Sequence, residues 1–280
     1  MLIDKIIDYT KKNVKQAIVL ETEGTVVPDN TLGLSKFEGN PDLPKGFIWP
    51  YAVNPLMYEI GDNKEYPLSF IAQIDLKEAS KYDSTSLLPK TGYLYFFFGP
   101  FSDCYIESPE YKECIKVFHI DCTADELVPT PRPAGSALNE IVEQGVSSED
   151  KFIRFYSAPS YPYHWVDDDE FMTNLSHDEF SEYVRDDGEM TAELQKHFEG
   201  YDLMYDQIFG NANYIQFVDP KSRCVSAYRS LYGVDTTEDE WIVLLQYLYN
   251  PHRVHFIFCI HKNDLKKGRF DRVFAITEFD

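Results

Sequence analysis

Four consecutive acidic residues offer the clearest potential for chemistry in this sequence. Asp167, Asp168, Asp169 and Glu170 lie within the stretch YHWVDDDEF. Carboxylate oxygens are the ligands that Ca²⁺ and Mg²⁺ prefer, but the stretch lacks the glycine and the glutamate that an EF-hand loop requires at fixed positions. Adjacent side chains also rarely point at one ion. We therefore favour a solvated acidic loop over a metal site, and we predict no cofactor.

These four residues lie in an acidic tract that spans residues 165–206. The tract holds fourteen Asp or Glu residues against two basic ones, while the whole chain has a formal net charge of −21. One interpretation is a set of exposed helices. The other is a docking face for a basic protein, because charge of one sign steers encounters with partners of the opposite sign. The candidate partner-binding residues are Asp167, Asp168, Asp169, Glu170, Asp186 and Asp187.

The negative charge also excludes two classes of partner. A nucleic-acid-binding protein needs a positive face to neutralise phosphates, and anionic membrane surfaces attract basic segments. No run of about 18 apolar residues could span a bilayer. The amino terminus MLIDKIIDYT interrupts its apolar run with charged residues, unlike a signal peptide. We therefore expect a cytoplasmic protein that binds neither nucleic acid nor membrane.

Cysteine and histidine form no recognisable catalytic or zinc-binding motif. The five cysteines lack CxxC spacing, and the GxSxG, HExxH and SxxK signatures are absent. His252 and His255 would point to opposite faces of a strand, so a shared metal ion is not expected there. A histidine that pairs in space with Cys104 or Cys259 could form a nucleophilic dyad. The sequence alone therefore identifies no catalytic residue.

The stretch FEGNPDLPKGFIWP, residues 37–50, is the part of the chain that most resembles a phosphate-binding loop. Such a loop points several backbone N–H groups at the anion, but the three prolines of this stretch have no N–H to offer. Its spacing matches neither GxGxxG nor the P-loop. We predict instead a stiff, extended corner in which Phe47 and Trp49 fold back onto a sheet. Gly39 and Gly46 are expected to adopt backbone angles that are closed to other residues.

Hydrophobic patterns indicate a mixture of helices and strands. Residues 2–18 have apolar side chains at helical spacing and predict an amphipathic first helix. Ser176 and Glu179 form a capping box, which predicts a helix that ends near Gly188, and TAELQKHF predicts another helix after it. Strands are predicted at 69–76, 92–99, 114–121, 240–249, 253–260 and 272–279.

A repeated pattern indicates two similar halves. KFEGNPDL at 36–43 parallels QIFGNANY at 207–214, and a strand with a central glutamine follows each, at Gln73 and Gln246. The matched offsets are 171 and 173 residues, so the two alignments agree within two residues. Similar patterns also arise by chance in β-rich sequences, so duplication and coincidence both stay open.

These patterns suggest one domain with an internal division. We expect a single domain over residues 1–280, with two repeated halves as its possible subdivision. The halves would span about 1–126 and 171–280, joined by a proline-rich connector at 127–170 that contains one short helix near 137–144. Dense prolines resist helices and central strands alike, which is the reason for placing the connector there.

Motifs at both ends of the chain resemble those of the YwqG-like family, a domain of unknown function in bacteria. The amino-terminal motifs are SKFEGNPDLPKGFIWP, YPLSFIAQIDL and LLPKTGYLYFFF, and the carboxyl-terminal ones are YDQIFGN, WIVLLQYLY and LKKGRFDRVFAITEF. The resemblance covers the chain from about residue 31 to residue 280. It implies an α+β fold with extensive antiparallel sheet, and it carries no catalytic residues. The Gly-Gly that is usual in the first motif is here Glu38-Gly39.

Two functional hypotheses follow from these observations. We favour a non-enzymatic protein-binding or regulatory module, similar to an immunity protein, whose acidic face docks a basic partner. The alternative is a hydrolase or a small-ligand-binding protein with its site in a cleft between the two halves, where small ligands often bind. The basic motif LKKGRFDR requires no ligand if Asp271 pairs with an arginine across its turn.

Overall fold

The computed structural model describes nine ranges of the chain. They are residues 2–22, 32–53, 65–99, 106–134, 149–162, 169–201, 204–215, 218–249 and 254–279. For residues 169–170, 182–189, 249 and 279 the description covers the backbone alone. Two antiparallel sheets with flanking helices form the α+β fold that the family resemblance implies.

The larger sheet has six antiparallel strands. They are β1 (Lys15–Glu21), β11 (Arg154–Ser160), β12 (Gln207–Phe209), β13 (Trp241–Tyr249), β14 (Val254–His261) and β15 (Phe274–Phe279). Their order across the sheet is β11-β1-β12-β13-β14-β15. The amino-terminal strand β1 therefore lies inside this sheet, between two strands from later in the chain.

The smaller sheet has five antiparallel strands. They are β2 (Lys36–Phe37), β6 (Ser69–Asp75), β7 (Tyr93–Phe98), β8 (Ile115–Ile120) and β10 (Lys151–Phe152). Their order across the sheet is β10-β2-β6-β7-β8. All six residues of β7, YLYFFF, are buried, which confirms the expectation that its nearly continuous aromatic run belongs to a strand covered on both faces.

Two short ribbons and seven described helices complete the fold. The ribbons pair β3 (Asp42–Pro44) with β9 (Leu127–Pro129) and β4 (Tyr51–Val53) with β5 (Glu65–Pro67). The helices are α1 (Leu2–Asn13), α2 (Leu76–Ala79), α3 (Pro109–Glu113), α4 (Asp169–Thr173), α5 (His177–His197), α6 (Pro220–Tyr232) and α7 (Lys262–Lys266).

Aromatic side chains from the two sheets meet in one hydrophobic core. The rings of Phe96 on β7 and Phe258 on β14 are 5.1 Å apart, and those of Phe98 and Phe256 are 5.6 Å apart. Both pairs are edge-to-face, a geometry that contributes about 0.5–1.5 kcal/mol beyond the buried area. The tyrosine hydroxyl of Tyr111 on α3 also donates a hydrogen bond to the carbonyl oxygen of Ala275 on β15. The two sheets are therefore joined by direct packing.

The stretch 37–50 forms the predicted corner. Gly39 has φ 61° and Gly46 has φ 85°, both in the left-handed region that glycine tolerates. The Trp49 indole is 8% exposed, and its N–H donates to the carbonyl oxygen of Leu68 at 2.8 Å. Phe47 contacts the aromatic rings of β7 and β8. Both aromatic side chains therefore cover the smaller sheet as expected.

The prediction of one helix over residues 2–18 is wrong in its second part. Helix α1 ends at Asn13, and Lys15–Glu21 forms strand β1. The run AIVL at 17–20 is apolar at every position, which suits a strand in the middle of a sheet better than one face of a helix. Strand β1 pairs with β11 on one side and β12 on the other, so tertiary pairing determines this boundary.

The predicted break at Gly188 is also wrong, because α5 continues through it to His197. The start of the helix is confirmed: the Ser176 hydroxyl accepts from the Glu179 N–H at 3.3 Å, and the Glu179 carboxylate accepts from the Ser176 N–H at 2.9 Å. A mid-helix glycine costs about 1 kcal/mol relative to alanine. Glu189, Met190 and Ala192, which follow Gly188, are strong helix formers that offset this cost.

The predicted connector contains three strands: β9, β10 and β11. Its prolines occupy the positions in sheets that proline tolerates. Pro129 ends β9, and Pro159 lies on β11, which is an edge strand of the larger sheet. The short helix predicted near 137–144 lies outside the described residues.

The two halves share several geometric details. The Gln73 side-chain oxygen accepts from the Asp42 N–H at 2.7 Å, and the Gln246 oxygen accepts from the Asn213 N–H at 2.9 Å. Each glutamine follows a register irregularity between its strand and the next one. These matches extend the repeated sequence pattern to hydrogen bonding, while the origin of the halves by duplication stays a prediction.

Candidate functional site

Four titratable side chains converge where the two sheets meet, and we call them the junction cluster. Glu38 follows β2 and Lys151 begins β10, in the smaller sheet, while Asp206 precedes β12 and Tyr247 lies on β13, in the larger sheet. The register explains their proximity. Lys151 lies opposite Phe37, the neighbour of Glu38. Gln207 lies opposite Gln246, which brings the preceding Asp206 next to Tyr247.

The backbone holds Glu38 in a conformation that is unfavourable for a residue with a side chain. Its φ is 57°, and the left-handed region costs roughly 1–2 kcal/mol for such residues. The Glu38 N–H donates to the carbonyl oxygen of Ile71 at 3.0 Å, and the Arg132 guanidinium donates to the carbonyl oxygen of Gly39 at 2.9 Å. The Asp150 carboxylate accepts from the Asn40 N–H at 3.1 Å. These bonds fix the turn and aim the Glu38 side chain inward.

The carboxylate of Glu38 is buried and forms an ion pair. It is 2% exposed, and one of its oxygens accepts from the Lys151 ammonium at 2.7 Å. The same oxygen accepts a hydrogen bond from the Tyr247 hydroxyl. Lys151 also lies 3.1 Å from that hydroxyl, and its side chain is 34% exposed. The cluster therefore has a buried end at Glu38 and a solvent-accessible end at Lys151.

Tyr247 connects the cluster to the aromatic core. Its ring stacks on Phe37 with centroids 4.0 Å apart and planes 9° apart. Because Phe37 belongs to the smaller sheet and Tyr247 to the larger one, this stack spans the two sheets. It places the Tyr247 hydroxyl at the Glu38 carboxylate.

Asp206 supplies a group that can exchange a proton near neutral pH. The pKa of its carboxyl is raised from 3.8 to about 7, mainly by burial. Of the smaller influences, the Leu248 N–H and the Lys151 ammonium lower this pKa, and the Glu38 carboxylate raises it. The Leu248 N–H donates to Oδ1 of Asp206 at 2.6 Å. The side chain is half-buried. A carboxyl with such a pKa can act as an acid or a base at physiological pH.

A second set of buried charged residues holds the turn at Glu38 and Gly39 in place. The Lys36 ammonium, whose side chain is 4% exposed, lies 3.4 Å from Asp42 and 3.2 Å from Asp150. The Gln73 side chain donates to the carbonyl oxygen of Leu34 at 3.0 Å. These groups are mutually satisfied, so they serve to position the turn.

In the repeated pattern, two of the positions that correspond to the junction cluster are apolar. At an offset of 171 residues, Phe209 occupies the place of Glu38 and shares its left-handed backbone, with φ 67°. At an offset of 173 residues, Ile74 corresponds to Tyr247. Phe209 and Ile74 are both buried in the hydrophobic core. Hydrocarbon side chains are therefore compatible with the fold at these two positions.

The acidic residues proposed from sequence are only partly described. Asp167 and Asp168 lie outside the described residues. Asp169 and Glu170 begin α4, and Asp186 and Asp187 lie within α5, each with its backbone alone described. Whether these residues form a docking face stays a prediction. Among the described residues, no three His, Cys, Asp or Glu side chains form a group that could hold a metal ion.

The other residues considered from the sequence are a pair in the LKKGRFDR motif and the members of a cysteine–histidine dyad. The Arg269 guanidinium donates to the Asp271 carboxylate at 3.3 Å, which confirms the ion pair expected across the LKKGRFDR turn. His252 and Cys104 lie outside the described residues. Cys259 and Cys224 are both fully buried. These observations add no support for a cysteine–histidine dyad.

Sequence reasoning singled out Glu38 only as a departure from the family motif and missed its three partners. Lys151 lies in the stretch interpreted as a connector, and Asp206 was counted as one of many residues in the acidic tract. One signal was present: Asp206 and Tyr247 are the neighbours of Gln207 and Gln246, in the repeated pattern. Their convergence depends on strand pairing between distant segments.

Comparison with known proteins places the chain in a family. A family model described as "Domain of unknown function (DUF1963)" matches residues 35–278. A comparison with curated proteins gives no match. In the described part of the chain, no helix has the length and apolar character needed to cross a membrane. The family match covers most of the chain and confirms the resemblance seen in its motifs. The chain belongs to the DUF1963 family, domains of unknown function that include the YwqG-like proteins.

Proposed function

We propose that this protein binds a small polar molecule at the junction cluster. The observation that carries the proposal is the contrast between this cluster and the corresponding positions of the repeated pattern. The cluster has a carboxylate, an ammonium, a phenol and a second carboxyl, whereas the positions that correspond to Glu38 and Tyr247 are Phe209 and Ile74. The proposal corresponds to the alternative hypothesis from sequence, a ligand site between two halves.

Energetics support a functional reason for these charges. A buried ion pair is often no more stabilising than well-packed hydrocarbon of the same volume, and the positions that correspond to Glu38 and Tyr247 carry hydrocarbon side chains. The left-handed backbone of Glu38 adds a further cost. Features that lower stability in this way are concentrated at sites of binding and catalysis.

Accessibility supports a ligand site rather than a sealed polar core. The Lys151 side chain is 34% exposed and Asp206 is half-buried. A molecule that approaches from this side would meet an ammonium and a carboxyl, with the stacked rings of Phe37 and Tyr247 behind them. Sites with a few convergent polar groups against aromatic walls are typical of small-molecule binding.

Acid–base catalysis is a second candidate function at the same site, favoured by Asp206. Its pKa of about 7 is in the range where a carboxyl serves both as proton donor and as proton acceptor. A hydrolase of this kind would use Asp206 to activate water, with Lys151 and Glu38 orienting the substrate. The acidic docking face is not favoured by any described side chain, since its residues are described by backbone alone or lie outside the described ranges.

A thermal-shift screen with a library of small metabolites tests the proposal. We expect one chemical class to raise the melting temperature of the wild-type protein. The Asp206→Asn and Tyr247→Phe variants should lose this response, because they remove the proton exchange and the hydroxyl with little change in shape. Asp235→Asn is the matched control, since the Asp235 side chain is 81% exposed and belongs to another part of the surface. Hits that stabilise all four proteins equally would contradict the proposal.

A further inference from the structure

We infer that the molecule bound at the junction cluster carries a protonated amine and that the Asp206 carboxylate accepts a hydrogen bond from it. This inference rests on the proposed function. It identifies the ligand chemistry from the groups that the cluster leaves available.

Three of the four groups already bind one another. Glu38 accepts from Lys151 and from Tyr247, and Lys151 also approaches the Tyr247 hydroxyl at 3.1 Å. Breaking this arrangement to hold a ligand would leave a carboxylate with 2% exposure without its partners, which is strongly unfavourable. The three groups are therefore already bound to one another in the absence of a ligand, and the ligand is held by the neighbouring group, Asp206.

Asp206 is the group with remaining capacity. Its Oδ1 atom accepts from the Leu248 N–H at 2.6 Å, while Oδ2 has no hydrogen-bond partner among the described residues. An ionised carboxylate accepts hydrogen bonds and cannot donate them. The complementary ligand group is therefore a donor, and an ammonium adds to its hydrogen bond the attraction between opposite charges, which a neutral hydroxyl lacks.

The charge of the cluster favours the same conclusion. Glu38 and ionised Asp206 carry two negative charges against the single positive charge of Lys151. A carboxylate or phosphate ligand would be repelled by this balance, whereas an ammonium restores neutrality.

The pH dependence of the affinity for an amine is a second test of the inference. The charged groups that act on the Asp206 carboxyl are Lys151 from β10 and Glu38 from the end of β2. A further titratable residue on a neighbouring strand is His255 on β14, which lies opposite Leu248. With a pKa of about 7, Asp206 is roughly one-tenth ionised at about pH 6 and roughly nine-tenths ionised at about pH 8. Because an amine binds the ionised form, its affinity should rise about ten-fold over this range.

Three probes with four carbon atoms each test the inference: n-butylamine, butan-1-ol and butyrate. Their binding is followed by NMR through the amide of Leu248, which donates to Asp206, and that of Tyr247. We expect butylamine to bind at least about ten-fold more tightly than either other probe at about pH 8, and Asp206→Asn to remove this preference. Asp235→Asn should keep it. Butylamine itself stays protonated in this range, as a lysine side chain does.

The outcomes separate the inference from the proposed function. If butan-1-ol or butyrate shifts the Leu248 and Tyr247 signals as strongly as butylamine does, the site binds small molecules and the amine preference is wrong. An affinity for butylamine that is equal in the wild-type and Asp206→Asn proteins would likewise overturn it. If none of the three probes shifts these signals, both the inference and the proposed function are contradicted.

Discussion

Replacing Asp206 by asparagine should make the protein more stable above neutral pH. In the folded protein, burial raises the pKa of this carboxyl from 3.8 to about 7, while in the unfolded chain it ionises near its ordinary value. Between these two values the folded protein retains a proton that the unfolded chain has lost. The wild-type protein therefore loses stability as the pH rises from about 4 to about 7. Asparagine does not ionise and avoids this loss, while its side-chain oxygen can still accept from the Leu248 N–H.

The magnitude follows from the two pKa values. The difference between 3.8 and about 7 corresponds to about 4 kcal/mol in the free energy of unfolding. Because the side chain is half-buried and solvent screens part of the effect, we halve this value. The asparagine variant should then be more stable than the wild type by about 2 kcal/mol above pH 7, and by less than about 1 kcal/mol at pH 5.

Urea denaturation followed by tryptophan fluorescence at about pH 5 and about pH 8 measures this difference. Asp235→Asn serves as the control and should change stability by no more than about 0.5 kcal/mol at either pH, because the Asp235 side chain is 81% exposed. A stabilisation by Asp206→Asn that does not grow with pH would refute the reasoning. So would a variant that is less stable than the wild type at about pH 8, since it would mean that ionised Asp206 is favourable in the fold.

Five further substitutions test the backbone of the site, of the corner at 37–50 and of α5 by the same urea titration. Gly39→Ala would place a methyl group against the Asp150 carboxylate and 2.9 Å from the Asp150 backbone nitrogen. We therefore expect the free energy of unfolding to fall by more than about 2 kcal/mol. Gly46 has φ 85° but open space around it, so Gly46→Ala should lower the free energy of unfolding by only about 1 kcal/mol. Glu38→Ala should lose about 2–3 kcal/mol because it removes the buried ion pair with Lys151 and retains the left-handed backbone. Glu38→Gly should lose about 1 kcal/mol less because glycine tolerates φ 57°, and equal losses would show that the backbone is unstrained. Gly188→Ala, within α5, should raise stability by up to about 1 kcal/mol, and a decrease would argue that this glycine is needed for close packing.

Local sequence patterns predicted much of the fold because they report on burial. The run YLYFFF of β7 and the strands after residue 240 are apolar at nearly every position, and all of them are buried in the sheets. The capping box at Ser176 and Glu179 and the glycines of the corner at 37–50 are likewise local features with one favourable geometry. Such features are encoded within a few residues.

Errors arose where tertiary contacts override local preference. Residues 15–18 continue the apolar pattern of α1, and only their pairing with β11 and β12 makes them a strand. The prolines of the connector are compatible with an edge strand and a short ribbon, positions that only the sheet order reveals. The break predicted at Gly188 gave too much weight to a single glycine in a long helix.

The candidate site was the least predictable part, because its members come from four distant segments. Glu38, Lys151, Asp206 and Tyr247 share no motif, and each has an ordinary local sequence. Their chemistry arises from proximity: the raised pKa of Asp206 is caused by burial, and the ion pair of Glu38 depends on β10 lying next to β2. The repeated pattern located the strands of the junction but could not indicate which side chains meet across it.

The most direct test of ligand binding at the junction cluster is native mass spectrometry of the wild-type protein after incubation with the small-molecule fraction of a cell extract. Asp206→Asn and Asp235→Asn are measured beside it under the same conditions. Our account predicts a small molecule retained in one-to-one ratio by the wild-type protein and by Asp235→Asn, and lost from Asp206→Asn. Retention of the same molecule by all three proteins, or by none of them, would contradict it.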